Sequence, residues 1–124
     1  MKPANITKLS DSQLVERFAE IALAQDEALL NDEIGKFNRL YGRMQDVENE
    51  LRSRTGDKRK LLKRLLYVHP NAQVRLKAAT KTLAIALEAA RKVLQEIIDA
   101  HEFPQALDAG MLLGGLDDGS FKPT

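Results

Sequence analysis

From Leu14 onward, apolar residues recur three or four positions apart with polar residues between them, the period of an amphipathic helix. Ser10-Asp11-Ser12-Gln13 opens the first run. Ser10 can accept from a first-turn amide and Gln13 can reach back, which is a capping box. Leu14, Phe18, Ile21 or Ala22, and Leu29 then share a face, predicting a helix to about Leu30, where Asn31-Asp32 caps the next. The second helix is predicted from about Glu33 to Arg54. Its stripe is Ile34, Phe37, Tyr41, Met44 and Leu51, widened by Leu40 and Val47. Glu48–Arg52 and Glu50–Arg54 are i,i+4 pairs in the favourable order. Gly35 and Gly42 lie on one face of this helix, each costing about 1 kcal/mol relative to alanine. Either they mark close approach of a neighbouring helix, or they are merely tolerated and the helix is locally weak.

Thr55-Gly56-Asp57 breaks the period. A short third helix follows, with Leu61, Leu62, Leu65 and Leu66 as its stripe. His69-Pro70-Asn71 ends it, because proline disfavours a helical residue before it, and Asn71 caps the fourth helix. That helix is predicted to run to about Ala86. Val74, Ala78 and Ile85 lie on one side, and Leu76, Ala79, Leu83 and Ala86 on another, so it must be covered from two sides. A fifth helix over about Glu88–Ala100 carries Ala90, Val93, Leu94, Ile97 and Ile98. A sixth starts at Phe103-Pro104, with Pro104 in its first turn and Leu107, Met111, Leu113 and Leu116 as its apolar side. The last stretch, GGLDDGSFKPT, reads as a frayed tail. No apolar–polar alternation of strand type is present. The chain is therefore expected to be all-α: about six helices in antiparallel pairs joined by short loops. The expected layout is an N-terminal arm over 1–9, one helical domain over 10–118 and a C-terminal tail over 119–124.

The stretch VRLKAATKTL (74–83) resembles the helix signature of HEAT-type repeats, through Val74, Arg75, Ala78, Ala79 and Leu83. The preceding HPNAQ is similar to the proline-containing turn before that helix, and EAARKVLQEII (88–98) to its partner helix. The chain over most of 10–118 also resembles a bacterial family of small α-helical domains of unknown function with a HEAT-repeat-like core. The resemblance implies a HEAT-like α–α superhelix, or solenoid, and no reaction. It also implies protein binding, with immunity-type or regulatory binders among such domains. Arg75 would then pair with acidic side chains or carbonyls of a neighbouring helix.

Composition narrows the function further. The 124 residues are enough for a core, and leucine and alanine carry most of the apolar content. Cysteine is absent, which excludes disulfides, thiolate metal sites and a cysteine nucleophile. That, with an N-terminal stretch lacking a signal-peptide core and apolar runs too short to span a bilayer, predicts a cytoplasmic chain without membrane contact. Net charge is +1 but unevenly spread. Residues 1–34 hold 3 bases and 7 acids, 35–94 hold 15 and 5, and 95–124 hold 1 and 6. Either the middle presents a basic surface or the helices neutralise one another on packing.

Catalysis needs a nucleophile beside a base, paired carboxylates in a cleft, or a metal cluster. The two histidines, His69 and His101, each sit at a predicted helix end, where they can meet terminal carbonyls. No spacing supports a metal site, AGMLLGGLDDG has no phosphate-loop context, and no cofactor motif is present. No enzyme is expected, and no catalytic, cofactor or metal residues are assigned. The stretch with functional promise is RSRTGDKRKLLKR, whose seven cations are Arg52, Arg54, Lys58, Arg59, Lys60, Lys63 and Arg64. They form the candidate binding surface. Three readings stay open: a solvated face whose arginines pair with Glu48 and Glu50, a dock for an acidic protein, and a phosphate-binding surface for nucleic acid. A non-enzymatic protein-interaction module is the leading expectation, with a nucleic-acid-binding helical-repeat protein as the alternative. A second copy of the chain is a further partner if one end of the stack leaves apolar surface uncovered.

Overall fold

The computed structural model describes residues 3–124 in backbone and 6–124 in side chain. The first two residues of the expected arm lie outside the described residues. Pro3–Lys8 forms a 3-10 helix. The described residues then form six α-helices and no strand: α1 (Asp11–Leu30), α2 (Ile34–Ser53), α3 (Lys60–Leu66), α4 (Ala72–Thr82), α5 (Leu87–Asp99) and α6 (Gln105–Asp118). No helix among the described residues is long and apolar enough to cross a membrane. The chain divides into two compact units, 1–61 and 62–124, with the division inside α3.

The first unit is the pair α1 and α2. Ser10 caps α1 as its sequence dictates: Ser10 Oγ accepts from Gln13 N at 3.2 Å, and Gln13 Oε1 accepts from Ser10 N at 2.9 Å. Asp32, at φ 55°, ends α1 by letting Glu33 N donate to Ala28 O at 2.8 Å and Asp32 N to Leu29 O at 3.3 Å. This is a Schellman turn that reverses the chain in three residues. Leu14, Val15, Phe18, Ile21, Ala22 and Ala28 are buried from α1, and Leu40, Met44, Val47 and Leu51 from α2. The buried stripe of α2 is therefore rotated from the one its spacing suggested. Ile34 is 68% exposed and Tyr41 50%. Leu29, expected inside, is 41% exposed. Gly35 and Gly42 do not mark a helix approach. A Cβ at Gly42 would meet nothing within 4 Å, and one at Gly35 only the Arg39 side chain at 3.7 Å.

The second unit is built on α4, α5 and α6. Asn71 Oδ1 accepts from Gln73 N at 2.8 Å and Val74 N at 3.1 Å, starting α4 where the sequence places it. Both apolar sides of α4 are buried: Val74, Leu76, Ala78, Ala79 and Leu83 are all at most 1% exposed. The helix stops at Thr82 rather than near Ala86. Thr82 Oγ1 donates to Ala78 O at 2.7 Å and accepts from the Tyr67 hydroxyl, while Thr82 O accepts from Ile85 N and Ala86 N. A turn over 83–86 therefore replaces the last helical turn expected. Leu76, Ala79 and Leu83 form one core with Ala90, Val93, Leu94, Ile97, Ala106, Ala109 and Leu113. Inside that core Gln105 Nε2 donates to Gln73 Oε1 at 3.0 Å, so a polar pair is buried with its bond made.

The end of the chain is more ordered than its composition suggests. α6 continues through Gly114 and Gly115 to Asp118, and Gly119 then takes the left-handed φ of 79°. Phe121 N donates to Gly115 O at 3.0 Å and the Phe121 side chain packs on the core. A Cβ at Gly115 would stand 3.0 Å from Phe121 Cβ, so a larger residue there would push the returning Phe121 back by a few tenths of an ångström.

Candidate interaction surfaces

Five of the seven cations in the basic run belong to the first unit, and two of those are turned inward. Arg54 follows α2 and reaches back over α1. Its Nε donates to Glu50 Oε2 at 2.9 Å and its Nη1 to Asp11 Oδ1 at 2.9 Å. Its Nη2 donates to Thr7 O at 3.3 Å and Ile6 O at 3.5 Å. One guanidinium thus joins the 3-10 helix, α1 and α2, a task for its fork of donors. The hydrogen bonds to Asp11, then to Glu50, hold its proton more firmly than usual. Lys58 stands 3.8 Å from the same Asp11 carboxylate.

Arg59 is only 3% exposed. Its Nε and Nη2 grip Asp57 at 2.9 and 2.7 Å, and its Nη1 lies 3.7 Å from Glu48 Oε2. Asp57, at φ 49°, also accepts from Arg59 N at 3.2 Å. The side-chain bond from Arg59 holds the Asp57 carboxyl below the usual carboxylate range, against the opposing pull of burial. Of the two i,i+4 pairs expected on α2, Glu50–Arg54 forms, whereas Glu48 faces Arg59. Arg52 and Lys60 are exposed in the first unit, and Lys63 and Arg64 in the second.

The second unit also neutralises its own charges. Arg75 Nη1 and Nη2 bind the Glu102 carboxylate at 2.8 and 2.7 Å, and Nε donates to His69 O at 2.7 Å. The arginine pairs with an acid and with carbonyls, but these lie in the connections after α5 and before α4, not on the neighbouring helix that was expected to supply them. The Arg75 bonds lower the Glu102 carboxyl pKa. Arg91 binds Asp117 at 2.9 Å. Lys77 has its pKa lowered, chiefly by burial and then by Lys81, with Asp108 opposing. His69 differs from its expected role: its Nδ1 accepts from Asn71 N at 3.0 Å rather than meeting a helix-end carbonyl. His101, at φ 54°, closes the Schellman turn after α5 and stacks on Phe103 at 6.5 Å between ring centroids. No group of three or more potential metal-ligating side chains occurs among the described residues. A shallow depression beside α5 is lined by Glu88, Arg91, Lys92, Gln95 and Leu113, charges of both signs with no convergence on one point.

The feature that the sequence spacing misplaced lies on α6. Leu107 and Met111 were expected inside with Leu113 and Leu116. These four do not share a face, because 107 and 111 point nearly opposite to 113 and 116 at 100° per residue. The structure buries Ala106, Ala109 and Leu113 and half-buries Leu116. Small side chains face the core because α5 lies close. Leu107 is 62% exposed, Met111 75% and Phe103, just before the helix, 61%. Gly110 and Gly114 lie on the same outward face, and a Cβ on either would meet nothing within 4 Å. The i,i+4 spacing of 103, 107 and 111 was the available signal.

Residues 12–117 match the model of a family described as a domain of unknown function (DUF2019). A crystal structure of the protein RPA1889 from Rhodopseudomonas palustris CGA009 is similar, at 47% sequence identity and a TM-score of 0.93. The similarity covers 96% of this chain and 98% of that one. Comparison with the curated proteins gave no match. With the family model spanning all six helices and the bacterial neighbour aligned over nearly the full length, the chain belongs to the DUF2019 family, small helical domains of unknown function.

Proposed function

We propose that this chain is a non-enzymatic protein-interaction module built of HEAT-like helix pairs, acting by occupying a partner as an immunity-type or regulatory binder does. The observation that carries the reading is the outward face of α6, where Leu107 and Met111 are more than half exposed on a helix without a single base. Apolar side chains held in water on a firmly packed helix gain free energy when a partner covers them. The placement of Val74, Arg75, Ala78 and Ala79 supports the HEAT-like arrangement, with alanines inside and the arginine tying the start of α4 to Glu102. The lack of cysteine suits a reducing, cytoplasmic setting.

The test is a pair of variants compared by quantitative crosslinked co-purification from producing cells. Leu107→Lys with Met111→Lys is expected to lose the bound proteins while the thermal midpoint stays unchanged. Charge reversal at Lys60, Lys63 and Arg64 is expected to leave them. Loss after charge reversal, with retention in the α6 variant, overturns the assignment to α6. Four exposed cations, Arg52, Lys60, Lys63 and Arg64, favour the second reading, nucleic-acid binding. That reading requires duplex affinity that falls steeply with salt and weakens on the same charge reversal. With Arg54 and Arg59 spent on Asp11, Glu50, Asp57 and Glu48, the run is left with less charge for phosphates than its composition suggests.

A further inference from the structure

We propose that the occupant of the α6 face is a second copy of this chain, paired antiparallel about a two-fold axis between Gly110 and Met111. The inference rests on the reading of that face as a protein-binding surface. Its ground is self-complementarity. A two-fold contact requires that if one position meets another, the reverse contact also holds. Antiparallel pairing about that axis sets Leu107 against Gly114 and Met111 against Gly110, in both directions. Each large exposed side chain meets a glycine whose Cβ position is open space. The face thus carries its own knobs and its own holes at matching distances.

Charge points the same way. The C-terminal end of α6 carries Asp117 and the fully exposed Asp118, beside the negative end of the helix dipole. The opposite end presents the positive helix start and the exposed His101 ring; of its acids, Glu102 is bound bidentately by Arg75, and Asp108, in the first turn of α6, points to the flank of the 107–114 face. Antiparallel pairing lays each acidic end beside the partner copy's positive end. Asp117, held by Arg91, keeps its own partner. The seam from Leu107 to Gly114 is about 10 Å long at about 1.5 Å per residue. That is short for a stable interface, so the pairing is reversible and depends on concentration.

Sedimentation velocity of the full chain over about 10 µM to about 1 mM tests this, a range in which so small a seam dissociates. The wild type is expected to shift from monomer to dimer. Gly110→Leu with Gly114→Leu fills the holes and is expected to weaken the dimer at least tenfold, although it adds apolar surface and improves helix propensity. A stickiness that came from apolar area alone would increase instead. A wild type monomeric throughout, or leucine variants that pair as tightly as wild type, overturns the self-pairing. Heterologous proteins lost from Leu107→Lys/Met111→Lys alongside a monomeric wild type leave the protein-binding reading standing without it. No bound protein and no dimer removes both.

Discussion

Two arginines of the basic run, Arg54 and Arg59, are internal struts. Arg59 shows this most plainly, being 3% exposed with a carboxylate on each side. Arg59→Met leaves Asp57 and Glu48 without their cation and is expected to cost about 3 kcal/mol, near the lower end for breaking a buried pair because Asp57 keeps some water. Lys60→Met, one position on but exposed, is expected to stay within about 0.5 kcal/mol. The shift in urea midpoint separates the two. Stability should also depend on pH through Asp57 and Glu102, whose carboxyls are held below their ordinary range by Arg59 and Arg75. A depressed folded pKa gives stability that is fully present above the unfolded value, about 4, and is lost as pH falls through the lower folded one. The denaturation midpoint is therefore expected to fall below about pH 4. Glu102→Gln should flatten that acid limb, and an unchanged limb would contradict the pairing. The sequence shows seven cations and nearby acids, but not which cation is turned inward. Arg59 and Arg52 look alike in a local pattern. Only the turn at Asp57, with its left-handed backbone, brings Arg59 back over Glu48.

At the scale of elements, the caps are local devices and were readable locally. Ser10 and Asn71 both make the bonds their side chains promise. Asn71→Ala is expected to cost about 1 kcal/mol, read from the thermal midpoint. Helix faces are a different matter, because which apolar stripe turns inward depends on what packs against it. α6 has apolar residues all round, so its period alone left the choice open. Close packing on α5 selects Ala106 and Ala109 and turns Leu107 and Met111 out. Leu94→Ala, at a fully buried site on α5, is expected to cost about 3 kcal/mol, and Met111→Gln less than about 0.5. Equal losses at both sites would mean that α6 is turned the other way. The end of α4 was hidden for a similar reason. LAIAL contains no breaker, and the helix stops at Thr82, whose carbonyl takes Ile85 N and Ala86 N before Ala86 turns to extended φ and starts α5.

For the molecule as a whole, the uneven charge along the chain is largely settled within each unit. Asp11 meets Arg54 and Lys58 in the first, and Glu102 and Asp117 meet Arg75 and Arg91 in the second. The helical class was legible from the apolar period, and the family from the resemblance over most of 10–118. The exposed apolar face of α6 was not, since exposure of a large side chain is a property of the folded unit. The central claim is that partners are met through the outward face of α6 and not through the basic run. Its most direct test places a photo-crosslinking amino acid at position 107 in one variant and at position 60 in another, in cells producing the chain. The account predicts protein adducts from position 107 that survive nuclease treatment. Nuclease-sensitive adducts from position 60, with none from 107, would contradict it.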